Sequence, residues 1–90
     1  MVPGLNGAVP LTNELADAID WSGRAKASYR MAIDEPVYEA RYHNFCEGEN
    51  FWQAALRHAE HSENALALMA LTEDIEGLRE QAILAVQSAS

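Results

Sequence analysis

Positions that step alternately by four and three run from Tyr38 to Ala70: Tyr38, Tyr42, Phe45, Glu49, Trp52, Leu56, Ala59, Glu63, Leu66 and Ala70. A mean step of three and a half residues marks a helix face that meets another helix along its length. The phase passes through Gly48 undisturbed, and one glycine costs a helix only about 1 kcal/mol. The pattern therefore predicts one continuous helix from Pro36 to Leu71. Gly48 lies between two glutamates, and Asn50 with Gln53 has capping-box spacing. Those residues support the alternative of a break at Gly48.

Two shorter helices flank this segment. Leu15, Ala18/Ile19, Ser22, Ala25, Tyr29 and Ala32/Ile33 recur at helical spacing, with Thr12 as a candidate N-cap and Glu14 and Asp17 in the first turns. Asp34-Glu35-Pro36 ends that helix, Glu35 serving as the cap and Pro36 as the first residue of the next. Thr72 is the candidate start of the third, ahead of Ile75, Leu78, Ala82 and Ala85/Val86. Met1 to Pro10, with two prolines and two glycines, reads as a flexible arm before a single helical domain over residues 11–88.

Helix lengths suggest an architecture. A central helix of roughly 54 Å, flanked by helices of roughly 33 and 24 Å, folds into a Z that is two helices thick. Two layers of helix cannot enclose a core, so a second copy is expected to complete it. The fold expected is an all-α bundle of three helices, or four if the chain breaks at Gly48, completed by dimerisation.

Ninety residues with a formal charge of −8 sharpen that picture. A chain this short buries little surface, and its lone cysteine, Cys46, allows no internal disulfide and suits a reducing, cytoplasmic setting. No apolar run approaches the roughly 18 residues of a membrane span, and the first ten residues lack a signal peptide's pattern. Charge is uneven. Residues 21–42 hold Arg24, Lys26, Arg30 and Arg41 against Asp34, Glu35 and Glu39, whereas residues 43–90 hold eight carboxylates against Arg57 and Arg79. Phosphate recognition requires clustered cations, so direct binding to nucleic acid or an anionic membrane is not expected. A protein partner with a basic surface is.

Candidate chemistry is sparse. Glu49 and Glu63 resemble the inward carboxylates of a di-iron bundle, but the Glu-x-x-His pairs of such sites are missing and the two glutamates lie roughly 21 Å apart along one helix. They are expected instead to pair with Lys26, Arg24, Arg30, Arg41 or Arg79 on a neighbouring helix, or to face a partner. His58 and His61, at i and i+3, offer two metal ligands without a recognisable remainder. His43 and Cys46 have the same spacing, but no orienting group accompanies them.

Phe51 and Trp52 diverge by about 100° on a helix, so one of them must leave the seam for a second surface. No glycine-rich phosphate loop or nucleophile motif occurs, which points away from an enzyme. The function expected is that of a non-enzymatic, acidic helical protein, without cofactor, that binds another macromolecule as inhibitor, adaptor or assembly factor. One version is a mobile-element or phage-type inhibitor that imitates phosphates and blocks a basic nucleic-acid-binding machine. Phe51, Trp52, Glu49, Glu63, Glu73, Asp74, Glu76 and Glu80 are the expected partner contacts. The alternative is a metal-binding bundle using His58, His61 and nearby glutamates.

Overall fold

A computed structural model describes residues 13–88, which form three helices: α1 (Asn13–Asp34), α2 (Tyr38–His61) and α3 (Ala65–Gln87). Their lengths, 22, 24 and 23 residues, are nearly equal. That equality changes the architecture. A 36-residue central helix needs flanking helices stacked end to end, whereas three helices of one length can lie side by side and close a core within one chain.

α1 and α2 form the closest pair because small residues line both sides of their contact. Ala18, Ser22, Ala25 and Ala32 are buried on α1, and Gly48, Ala55 and Ala59 on α2. The two run antiparallel: Glu14 in the first turn of α1 meets His58 near the end of α2, and Tyr29 packs on Phe45 with ring centroids 6.0 Å apart. α3 returns parallel to α1. Asp74 meets Lys26, Arg79 meets Glu49, and the Ala85 carbonyl meets Arg41 in succession along it. Ile75 and Ala82 of α3 join Tyr29, Trp52 and the buried alanines in one core, flanked by Phe45, Leu56, Leu71 and Leu78.

The expected continuous helix from Pro36 to Leu71 is not what forms. α2 passes unbroken through Gly48, so the fourth helix does not arise, and the chain instead turns at Ser62-Glu63-Asn64. Local chemistry makes the turn. The Ser62 hydroxyl donates to the Ala59 carbonyl at 2.6 Å, Glu63 takes a left-handed φ of 56°, and the Asn64 side chain accepts from the Ala67 amide at 3.0 Å. A left-handed residue after a helix end followed by an Asn cap is a standard exit and re-entry. Thr72, the expected start of the third helix, lies inside α3, its hydroxyl donating to the Leu68 carbonyl at 2.9 Å.

The first turn also differs from expectation. α2 begins at Tyr38 rather than Pro36, with Val37 in the capping position and no side-chain cap bond. Glu35 contributes differently, accepting the Val37 amide at 3.1 Å. Arg41 then ties the turn together: its guanidinium donates to the Glu35, Pro36 and Ala85 carbonyls, joining the α1–α2 connection to the end of α3. The expected Thr12 cap and the Met1 to Pro10 arm lie outside the described residues.

Candidate functional site

Glu49 is the one seam glutamate that lies between helices. Arg79 of α3 grips it with both nitrogens of a fork, Nε to Oε2 at 2.7 Å and Nη2 to Oε1 at 2.8 Å, while the Tyr29 hydroxyl of α1 donates to Oε2. One carboxylate thus joins all three helices. The Arg79 bonds hold the Glu49 carboxyl below the usual carboxylate range, against the opposing effect of burial. Burial, then the neighbouring Glu49, push the Tyr29 phenol well above its ordinary value. The Glu49 bonds likewise raise Arg79. Near neutral pH the carboxylate stays ionised and the phenol and guanidinium stay protonated. The arrangement is suited to a latch rather than to proton exchange.

Glu63 has a different place. The break at residues 62–64 puts it at the exposed turn, not on a seam, so the stripe that contained it ends at Ala59. Beyond the turn, Leu66 and Ala70 face outward. Trp52, expected among the partner contacts, is a core residue with 7% of its surface exposed, which leaves little of the ring for a partner. Phe51 is half-buried and packs on Trp21, ring centroids 5.6 Å apart, where the Arg24 guanidinium also covers the indole. The divergence of the two aromatics is therefore satisfied within the bundle.

Glu73, Asp74, Glu76 and Glu80 are all exposed on α3. Asp74 pairs with Lys26 across to α1. Glu73, Glu76 and Glu80 make no ion pair among the described residues and share the face of α3 directed away from the core.

His58 and His61 sit in the last turn of α2. Glu14 Oε2 lies 2.9 Å from His58 Nδ1 and 3.8 Å from His61 Nδ1, pinning the start of α1 to the end of α2. Among the described residues, no group of three or more His, Cys, Asp or Glu side chains is arranged to hold a metal ion. Cys46 is half-buried. Tyr42 lies one turn before it, and the neighbouring thiol raises the phenol's pKa.

The sequence offers Arg79 among the possible partners of Glu49 and puts Tyr29 on the inner face of α1, but a one-dimensional pattern carries no signal that Tyr29 and Glu49 meet. Nor does it signal the outward turn of Leu66 and Met69, which follows only from the break at Glu63. That break did leave a trace: Ser62-Glu63-Asn64 is a run of turn-compatible polar residues.

The molecule is thus an all-α three-helix bundle, and no described helix is long and apolar enough to cross a membrane. Comparisons with protein-family models, with curated proteins and with solved structures found no match.

Proposed function

We propose that this protein is a non-enzymatic interaction module that binds a protein partner through its acidic surface, as an inhibitor, adaptor or assembly factor. The observation that carries the reading is the exposure, on one face of α3, of Glu73, Glu76 and Glu80 without ion-pair partners. Carboxylates that the fold leaves unneutralised at neutral pH create a field that attracts a basic surface and steers its approach. The version in which they stand in for phosphates, as in an inhibitor of a basic nucleic-acid-binding machine, belongs to the same reading. Half-buried Cys46 is compatible with the reducing cytoplasm in which such a partner would be met.

Self-association has a different basis from the one the sequence suggested. That basis was an open two-layer Z, and the three helices instead bury Ile75 and Ala82 in a core of their own. Exposed Val37, Tyr38 and Tyr42 near the α1–α2 turn are the apolar surface that a second copy would cover.

The test is capture of the partner from the native host by untagged protein, then measurement of Kd for the purified pair as salt rises. Binding should weaken steeply with ionic strength and be lost when Glu73, Asp74, Glu76 and Glu80 are changed to lysine. Salt-insensitive binding that survives those changes would reject the electrostatic reading.

A further inference from the structure

The outward face of α3 carries more than charge. At 100° per residue, Leu66, Met69, Glu73, Gly77, Glu80 and Leu84 fall along a single strip, and every one of them is exposed. Leu66 is 74% exposed, Met69 58% and Leu84 57%. The strip is therefore apolar at both ends and acidic in the middle, over a length of roughly 27 Å.

Three properties of this strip oppose the stability of a helix that faces only water. Large apolar side chains gain nothing there. Glu76, at the edge of the strip, and Glu80 are like charges at i and i+4, which destabilises a helix. Gly77 sits at the centre, where an added Cβ would meet nothing within 4 Å, so the bundle itself has no packing need for glycine. Glycine in a helix interior costs about 1 kcal/mol relative to alanine, and its use is close approach of another backbone.

We propose that this strip is a docking face for one basic amphipathic helix of another protein, laid along α3 and crossing it closest at Gly77. Charge complementarity selects the occupant. Its face must be apolar, then basic, then apolar, with Lys or Arg opposite Glu73, Glu76 and Glu80 and aliphatic residues opposite Leu66, Met69 and Leu84. A second copy of this chain is disfavoured on the same strip. Laid antiparallel about Gly77, two such faces would set one Glu73–Glu80 block against the other, and the chain as a whole carries −8. The inference rests on the reading of the protein as an interaction module and specifies its surface and its partner's shape.

The experiment uses two synthetic 18-residue helical peptides of equal composition. One has Leu at both ends of a single face and three Lys between them; the other has the same residues scrambled but equally amphipathic. Binding to the full chain is followed by fluorescence anisotropy and by backbone amide shifts. The patterned peptide should bind at least tenfold more tightly than the scrambled one, with shifts concentrated at Leu66 to Leu84. Changing Glu73, Glu76 and Glu80 together to lysine should weaken it at least tenfold. Gly77→Ala is the decisive variant, because it should raise the melting temperature while weakening the peptide at least fivefold. All these positions are exposed, and circular dichroism checks that the variants stay helical.

Equal affinity for the two peptides, unchanged binding by Gly77→Ala, or light scattering that reports a dimer with the α3 amides protected would overturn the inference. Shifts elsewhere on the surface would overturn the α3 docking face while leaving the broader interaction reading intact. Failure of both peptides to bind rejects this face as a helix-binding surface, and the broader reading is then judged separately by the captured native partner.

Discussion

The ring of Tyr29 packs against Gly48 so closely that a Cβ at residue 48 would stand 2.7 Å from its Cδ1 and Cε1 atoms. Gly48 is thus a seat for a buried ring, not a hinge. Gly48→Ala gains about 1 kcal/mol of helix propensity but must displace a ring packed in the core, an overpacking cost of about 1–3 kcal/mol. The expected outcome is a net loss of about 1 kcal/mol, read as a lower urea midpoint with unchanged slope. A higher midpoint would mean that the ring yields freely.

Acid should loosen the same region. Because Glu49 has its carboxyl pKa lowered in the fold, its contribution is present above the unfolded value near 4.5 and is lost as pH falls through the folded value. Glu49→Gln should cost about 1–2 kcal/mol at pH 7, a figure reduced from that of a dry pair because the Arg79 side chain is 38% exposed. The variant's stability should then change less than the parent's as pH falls from neutral to below the unfolded value. Parallel profiles for the two proteins over that range would show that Glu49 does not couple to folding.

At the alkaline end the sign reverses. Tyr29 has its pKa raised, so its stabilisation is complete below the unfolded value of 10.0 and declines above it, as the unfolded phenol ionises while the native one stays protonated. Tyr29→Phe should therefore lose less stability than the parent above pH 10. Tyrosinate absorbance offers a direct check, since the Tyr29 signal should appear only together with loss of helix.

Ser22 is buried on α1, and its hydroxyl oxygen is without a hydrogen-bond partner among the described residues. Ser22→Ala removes an unsatisfied polar group and improves helix propensity, so it should stabilise the protein by about 1 kcal/mol. A lower melting temperature in calorimetry would reveal a partner for that hydroxyl.

The turn that divides α2 from α3 can be tuned in both directions. Glu63→Gly relieves a left-handed conformation and should add about 0.5–1 kcal/mol despite the entropy that glycine returns to the unfolded chain. Asn64→Ala removes the cap on the Ala67 amide and should cost about 1 kcal/mol. Native-state hydrogen exchange at Leu66 to Leu68 should speed up in the second variant and slow in the first.

Much of this fold is legible in the sequence. The period of α1 from Leu15 to Ala32 matches its buried positions almost one for one, and Asp34-Glu35-Pro36 lies at the observed connection. The stripe on α2 holds from Phe45 to Ala59, where Trp52 and Ala59 are buried and Phe45, Glu49 and Leu56 half-buried. It misled at Glu63 because a three-residue turn happened to preserve the count of four and three. Periodicity measures spacing along the chain and has no term for a change of direction, so Leu66 and Ala70 kept the phase of a seam while facing water. The candidate partner face was legible only in part. Glu73, Glu76 and Glu80 were visible as a charge block, whereas Leu66, Met69 and Gly77 acquired meaning once the rotation of α3 about its axis was set by Ile75 and Ala82.

Composition and period by themselves determine that this chain is helical, acidic and built around a central amphipathic segment, since these depend on local propensity and on the count of charges. Tertiary structure alone decides that three equal helices close one core, that Glu49 binds Tyr29 and Arg79, and which side of α3 is left to solvent. Those outcomes depend on contacts between residues twenty or more positions apart, whose energies exist only after the chain has turned back on itself at Val37 and again at Glu63.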